Sequence, residues 1–238
     1  MKLAFTGGSG LLGSKLKEHF PDALFPTSKH FNINITRDYH RFFNKDFDTL
    51  VHMAAVTDTV GCETKESANA IQTNIVATSN LVMECMKRDV KLIYISSDYV
   101  FDGERGRYKE SDSLNPFNKY GWSKLGGECA VKMYDNSLII RTSFCTDDFP
   151  YDKAFYDQKT TRTGVTECAK MISDVIKEEK CGVVHVGGDT KTVYDLAKEL
   201  SPNKEIKKIS RLDVKGYPLP KDTSLMSNRV PKYYWGLQ

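Results

Sequence analysis

Apolar and polar positions along the chain fall into alternating blocks. Short apolar runs at Lys2–Phe5, Ala23–Phe25, Thr49–Met53, Leu92–Ile95 and Leu138–Ile140 read as buried strands. Between them, Leu11–Phe20 spaces Leu11, Leu12, Leu16 and Phe20 near a 3.6-residue period and reads as a helix. Ala68–Lys87 and Tyr120–Met133 carry helical patterns too. The strands are apolar runs rather than in-and-out alternations, which predicts a parallel sheet covered by helices on both faces. Further on come a helix around Glu167–Lys177, a strand at Val183–Val186 and a helix at Val193–Leu200. Pro218, Pro220 and Pro231 then mark an irregular tail. No repeat, low-complexity tract or linker breaks the chain, so any second domain is small and intimately attached.

Composition narrows the class without naming a function. A chain of 238 residues, 40% hydrophobic and 27% charged, has neither a disordered nor a collagenous composition and carries no membrane-length apolar run. The net charge is +3, with residues 1–150 slightly acidic and residues 151–238 slightly basic. That bias is too small for a nucleic-acid binder; it suits a small anionic ligand, or simply a solvated surface. Cys62, Cys85, Cys129, Cys145, Cys168 and Cys181 are scattered, with no metal-ligand spacing, and read as free thiols filling core space. Leu3-Ala4-Phe5 runs straight into a glycine turn and leaves no signal-peptide core, so a cytoplasmic, reducing location is expected.

The glycine turn is the first candidate site. Thr6-Gly7-Gly8-Ser9-Gly10-Leu11-Leu12-Gly13 joins the first strand to the first helix and fits G-x-x-G-x-x-G from Gly7 and G-x-G-x-x-G from Gly8. Such a turn lets the backbone approach a pyrophosphate, and the helix N-terminus offers N–H donors and positive potential. A dinucleotide reader of the ribose 2′-hydroxyl would be an acid about twenty residues on. From Ala23 to Arg37 there is none; Thr27-Ser28-Lys29 stands there instead. Two hydroxyls and a cation suit a 2′-phosphate, so NADPH is the expected cofactor with NADH second; Lys29 equally fits a solvated loop lysine.

A second constellation lies beyond the fourth strand run. Ser96-Ser97-Asp98-Tyr99 follows it directly, and Tyr120 and Lys124 stand four apart on one helical face. A tyrosine with a pKa of about 10 is a poor acid near neutrality, and a neighbouring ammonium favours its phenolate. A hydroxyl at the C-terminal edge of a parallel sheet sits where ligands bind. Tyr-x-x-x-Lys arises by chance in a chain with 12 tyrosines; its company here is what gives it weight.

Together these residues resemble a family. The glycine loop, His52-Met53-Ala54-Ala55, Ser97 and Tyr120-Gly121-Trp122-Ser123-Lys124 are similar to the extended short-chain dehydrogenase/reductases. Ser96 through Gly103, Tyr108-Lys109-Glu110-Ser111-Asp112 and Lys124-Leu125-Gly126-Gly127-Glu128 resemble the dTDP-4-dehydrorhamnose reductase family within them. The resemblance is close over about residues 1–145 and weaker beyond. It implies a Rossmann-type doubly wound α/β fold. Residues 1–145 would form the dinucleotide-binding part with the catalytic residues; residues 146–238 would form a small substrate-binding part, interleaved with the first and not folding alone. It implies that Gly7, Gly10, Leu11 and Leu12 cradle the pyrophosphate, with Ser28 and Lys29 at the ribose and Asn34-Ile35 against adenine. Ala54, Ala55 and Thr57 would border the nicotinamide side. Lys124 would hold the nicotinamide ribose and tune Tyr120, Tyr120 would protonate a C4 oxygen, and Ser97 would hydrogen-bond it. Ser96, Ser97, Tyr120 and Phe144 would touch the sugar.

The implied reaction is reduction of the C4 keto group of a nucleotide-linked 4-keto-6-deoxy sugar in deoxysugar or polysaccharide precursor synthesis. A 3,5-epimerase/4-reductase acting on a UDP- or GDP-sugar, or a non-catalytic NADP-binding regulatory subunit, stands as the alternative. Dehydration is disfavoured, because Tyr99 occupies the position of a needed carboxylate. The expected partner is the nucleotide sugar, optionally with a second copy in a homodimer; nucleic acid, membrane and metal are not expected. Cys145 and His185 fit an epimerising base less well than core positions. Phe144 stands where the family has Trp, and Cys145–Thr166 is shorter than its counterpart and lacks its apolar helix. Lys204, Lys207, Lys208, Arg211 and Lys215 would meet a diphosphate or form a solvated face.

Overall fold

The computed structural model describes residues 1–229, so Pro231 lies outside the described residues. The first part runs β1 (Leu3–Thr6), α1 (Leu11–His19), α2 (Arg37–Phe43), β2 (Thr49–His52), α3 (Thr59–Glu63), α4 (Ser67–Ala70), α5 (Thr78–Arg88), β3 (Lys91–Ser97), α6 (Lys119–Val131) and β4 (Ser137–Thr142). Four short strands follow: β5 (Phe144–Cys145), β6 (Lys153–Phe155), β7 (Lys159–Thr160) and β8 (Thr163–Gly164). The chain then forms α7 (Val165–Lys177), β9 (Gly182–Val186), β10 (Lys191–Thr192), α8 (Val193–Leu200) and β11 (Lys207–Ile209).

The central sheet has five strands in the order β1-β2-β3-β4-β9, all parallel. Its apolar residues point alternately to two faces, as a two-residue period requires. Leu3, Phe5, Val51, Ile93, Ile95, Leu138 and Ile140 share one core with α1 and α7. Ala4, Leu50, Leu92, Tyr94 and Ile139 share the other with α2 and α5. Covering both faces is what makes every residue of β1, β2 and β4 buried.

Two sequence expectations change. Ala23–Phe25 is not a strand: only Leu24 pairs, as an isolated parallel bridge to Ala4. The run lies at the sheet edge and ends at Pro26, which has no N–H to extend a ladder. The Ala68–Lys87 pattern is not one α-helix either; a π-helical segment, Ile71–Ala77, separates α4 from α5. From β1 the chain therefore goes out to Leu24 and returns across β1 to lay down β2 on its other side. That reversal is a topological switch point, where open α/β sheets leave a crevice beyond the strand C-termini.

Residues beyond β4 contribute α7 and β9 to the sheet and build a smaller cluster from Phe149, Ala154, Val193, Ala197 and Ile206. No helix lies between β4 and α7. The tail is less irregular than expected: β11 pairs with β6, and Leu225 bridges Tyr108. Tyr108 also accepts from the Met226 N–H at 2.8 Å and donates to Ser224 at 3.0 Å, both through its backbone. Beneath this strap lie the buried Arg141–Glu128 pair at 2.8 Å and the fully buried His185. Among the described residues no helix is long and apolar enough to cross a membrane.

Candidate active site

A cleft of about 730 Å³ opens over the C-terminal ends of β1, β2, β3 and β4, within the usual range for a ligand site. Its first wall is the glycine turn. Gly7 has φ +73°, and a Cβ there would lie 2.8 Å from the Ala54 backbone nitrogen. A Cβ on Gly13 would lie 2.5 Å from the Gly7 carbonyl oxygen. These two positions exclude side chains so that the turn, the helix and the β2 end can close on one another. Gly10 caps α1 without a side chain, and the first turn holds no acid. Its N–H groups and positive potential are thus left for a ligand, which fits the pyrophosphate of a dinucleotide.

Thr6 ties this wall to the next. Its hydroxyl oxygen accepts the N–H groups of Met53 and Ala54, both at 3.2 Å, so its own proton goes to His52 Nδ1 at 2.7 Å. His52 must then carry its proton on Nε2, which donates to Thr78 at 2.9 Å. Burial, with Lys124 nearby, lowers its pKa to about 3, which keeps that neutral tautomer. The π-helical segment clamps the third wall. Asn74 accepts the Val56 N–H at 2.8 Å and donates to the Val56 carbonyl at 2.9 Å and to the Ser123 hydroxyl at 2.8 Å. Ser123 in turn donates to the Tyr120 carbonyl at 2.7 Å.

Ser97, Tyr120 and Lys124 all line the cleft. Ser97 ends β3 and caps the following 3-10 turn, accepting the Tyr99 N–H at 3.1 Å and donating to Asp98 Oδ1 at 3.1 Å. Asn118 caps α6 by accepting the Gly121 N–H at 2.7 Å, which starts the helix one residue before Tyr120. Burial pushes the Tyr120 phenol up, and the facing Ser97 hydroxyl opposes that rise. Lys124 is 3% exposed and lies 4.1 Å from the Tyr94 ring centroid. Burial lowers its pKa to about 7, against the opposing pull of Glu128 one turn on.

Most expected positions converge on the cleft. Gly7, Gly10, Leu11 and Leu12 line it, as do Ala54, Ala55 and Thr57. Ser28 and Asn34 line its far end; Lys29 and Ile35 do not. Lys29 is exposed in a turn, and Asn32 and Ile33 supply the lining that Ile35 was expected to give. Ser96 and Phe144 line the opposite end. Cys145 and His185 do not reach the cleft. His185 Nδ1 faces the carbonyls of Tyr108 and Met226, both at 3.0 Å, and Arg141 donates to its Nε2 at 3.3 Å. The Lys204–Lys215 cations are elsewhere too: Lys204 pairs with Asp152 at 3.2 Å, and Lys208 lies over the Tyr194 ring.

Asp98, Tyr99 and Arg162 also line the cleft without a site role assigned from the sequence. Asp98 is 1% exposed, its Oδ2 has no hydrogen-bond partner, and burial raises its pKa against the attraction of Arg162. Tyr99 is pushed up to about 12 by burial, with Arg162 opposing. Both stand beside Ser97 and were legible as neighbours. Arg162 is the third, and no motif marked it.

Comparison with known proteins fits this geometry. The family model described as RmlD substrate binding domain matches residues 1–155. The chain belongs to that family. A probable low-salt glycan biosynthesis reductase from Haloferax volcanii is 38% identical over 158 residues, 58% of this chain and 52% of that one. The methionine adenosyltransferase 2 subunit beta of Rattus norvegicus is 35% identical over 143 residues, covering 55% of this chain and 42% of the subunit. The chain thus spans about half the length of the curated relatives it matches. A crystal structure from Sulfolobus tokodaii, described as a hypothetical dTDP-4-dehydrorhamnose reductase, superposes with a TM-score of 0.86 at 27% identity. That match covers 100% of this chain and 98% of the other.

Proposed function

We propose that the protein is an NADPH-dependent reductase of the C4 keto group of a nucleotide-linked 4-keto-6-deoxy sugar, serving glycan precursor synthesis. The observation that carries this reading is the meeting of Ser97, Tyr120 and Lys124 in one cleft with an uncapped glycine turn. The names of the Haloferax reductase and the Sulfolobus structure support it. Bound NADPH supplies the hydride that reduces the keto carbon.

The chain's own residues do the rest. Leu11 and Leu12 hold the pyrophosphate through backbone N–H groups, beside Gly10 whose own N–H closes the turn onto the Gly7 carbonyl at 3.0 Å, while Ser28 and Asn34 lie at the adenosine end. Ala54, Ala55 and Thr57 border the nicotinamide. Lys124, held four residues from Tyr120, places its ammonium where it lowers the cost of a phenolate. Tyr120 gives its proton to the C4 oxygen. Ser97 must turn its O–H from Asp98 to that oxygen, a single rotation about its Cβ–Oγ bond, whereas the Ser96 hydroxyl is buried without a partner and already available. Residues 1–145 then carry the cofactor and the proton chemistry, and the later part completes the sugar side.

The test is NADPH oxidation with 4-keto-6-deoxy sugars linked to dTDP, UDP, GDP or CDP. Tyr120→Phe should cut turnover about 10²–10⁴-fold while NADPH binding persists. A fully active Phe variant refutes the assignment. The similarity to the methionine adenosyltransferase subunit favours one other reading, a binding module without turnover. NADPH binding without oxidation of any of these substrates supports that reading instead.

A further inference from the structure

Of the described residues lining the cleft, Arg162 alone comes from beyond residue 145. It is a cation held among the groups nearest the reacting centre. The pairing of β5 with β8, in the register Phe144↔Thr163, brings it beside Ser143. Its Nε donates to the Ser143 hydroxyl at 3.1 Å. Its backbone is fixed by neighbours on every side. The Arg162 N–H goes to Thr160 Oγ1 at 3.0 Å, Thr161 accepts from Leu225 and Gly188, and Thr160 pairs with Lys191.

Among the described residues the guanidinium has no ion pair within 4.0 Å; Tyr99 shares a side-chain hydrogen bond with it, and Asp98 and Cys145 act on it electrostatically. Burial alone would lower its pKa, and Tyr99, Asp98 and Cys145 together more than offset that. Asp98 leaves Oδ2 unpartnered within the same cleft. A structural counter-ion would close onto that carboxylate. Here the guanidinium engages Ser143 and Tyr99, forms no ion pair with Asp98, and lines the open cleft. Guanidinium matches the paired oxygens of phosphate or carboxylate better than any other side chain.

We infer that Arg162 is the substrate-anion subsite of this cleft, binding an oxyanion of the substrate beside Ser97 and Phe144. The oxyanion is a phosphate of the nucleoside diphosphate or a carboxylate on the sugar. This rests on the proposed reading of the cleft as a nucleotide-sugar site.

Calorimetric titration of the NADP⁺-loaded protein tests it. The probes are dTDP, UDP and GDP, the matching nucleosides, and UDP-glucuronate against UDP-glucose. Arg162→Gln should weaken nucleoside diphosphates about 10–100-fold and leave nucleosides unchanged if phosphate is the ligand. If carboxylate is the ligand, diphosphates are unaffected, and a wild-type preference for UDP-glucuronate over UDP-glucose disappears. Arg162→Lys, which keeps the charge but loses the fork, should fall between and serves as the measure should the glutamine variant fail to fold. Unchanged affinity for every anion in a folded variant overturns the inference, as does a wild type that binds none of the probes. Loss of anion binding without NADPH turnover in the wild type would instead defeat the reductase reading and leave the subsite standing.

Discussion

Replacing Lys124 with methionine should stabilise the fold and abolish reduction. The lysine is 3% exposed, and burial takes its pKa from 10.5 to about 7. At 1.36 kcal/mol per unit, that corresponds to an upper bound of about 5 kcal/mol against the folded state at acid pH; relaxation of the interior brings a realistic figure to about 2 kcal/mol. Methionine keeps the length of the stem and places a thioether near the Tyr94 ring. For a chain of this size, 2 kcal/mol is roughly 4–8 °C in Tm. Below pH 7 the wild-type ammonium is charged in both states, and the cost is fully present. Between about 7 and 10.5 the folded chain gives up a proton that the unfolded chain keeps, so wild-type stability rises with pH. Thermal melts of both proteins at pH 6 and pH 9.5 should therefore show a Tm gap that narrows at the higher pH. A variant less stable than wild type at pH 6, or a gap that does not narrow, refutes the reasoning. A confirmed gap would show a charge kept for chemistry at the expense of stability.

Other outcomes follow from the same geometry. Ser28→Asp should move the kcat/KM ratio toward NADH, whereas Lys29→Ala should leave it unchanged, because Ser28 lines the cleft and Lys29 does not; the ratio measured in both variants checks this. Glu128→Leu leaves the buried Arg141 guanidinium without its carboxylate and should cost about 3–5 kcal/mol, read from chemical denaturation. His185, lowered to about 4 by burial, is neutral in both states above pH 6.5. As pH falls from there toward 4, the unfolded chain takes up a proton that the folded chain refuses, so stability should fall, and a His185→Gln variant should flatten that slope in pH-dependent melts.

The sheet and its helices were legible because every central strand is covered on both faces and must be apolar throughout. The Leu24 edge was overread for the same reason: apolar character marks burial, and burial beside β1 does not require a full ladder. The π-helical turn left no sign, since Ile71–Ala77 has the composition of an ordinary helix and differs only in hydrogen-bond register. In the cleft, Ser97, Tyr120 and Lys124 were readable from their fixed local spacing. Arg162 was not. It reaches the cleft through a two-residue strand pairing between segments nearly twenty positions apart, and no local pattern encodes such a contact. Lys29 shows the converse, a residue type suited to a phosphate but turned to solvent by its local turn.

The strap of Ser224 to Ser227 across Tyr108 and Glu110 has a consequence for biosynthesis. Tyr108 follows directly on the loop that carries Asp98 and Tyr99, and Leu225 also ties down Thr161, the neighbour of Arg162. During translation the glycine turn, β1–β4 and the Tyr120 helix are all made long before this strap emerges. The nascent chain can thus assemble the glycine-turn side of the cleft early, while the walls at Asp98, Tyr99 and Arg162 wait for residues 224–227. Ribosome-bound chains halted before and after that stretch should differ in protease resistance at residues 98–110 rather than across the sheet.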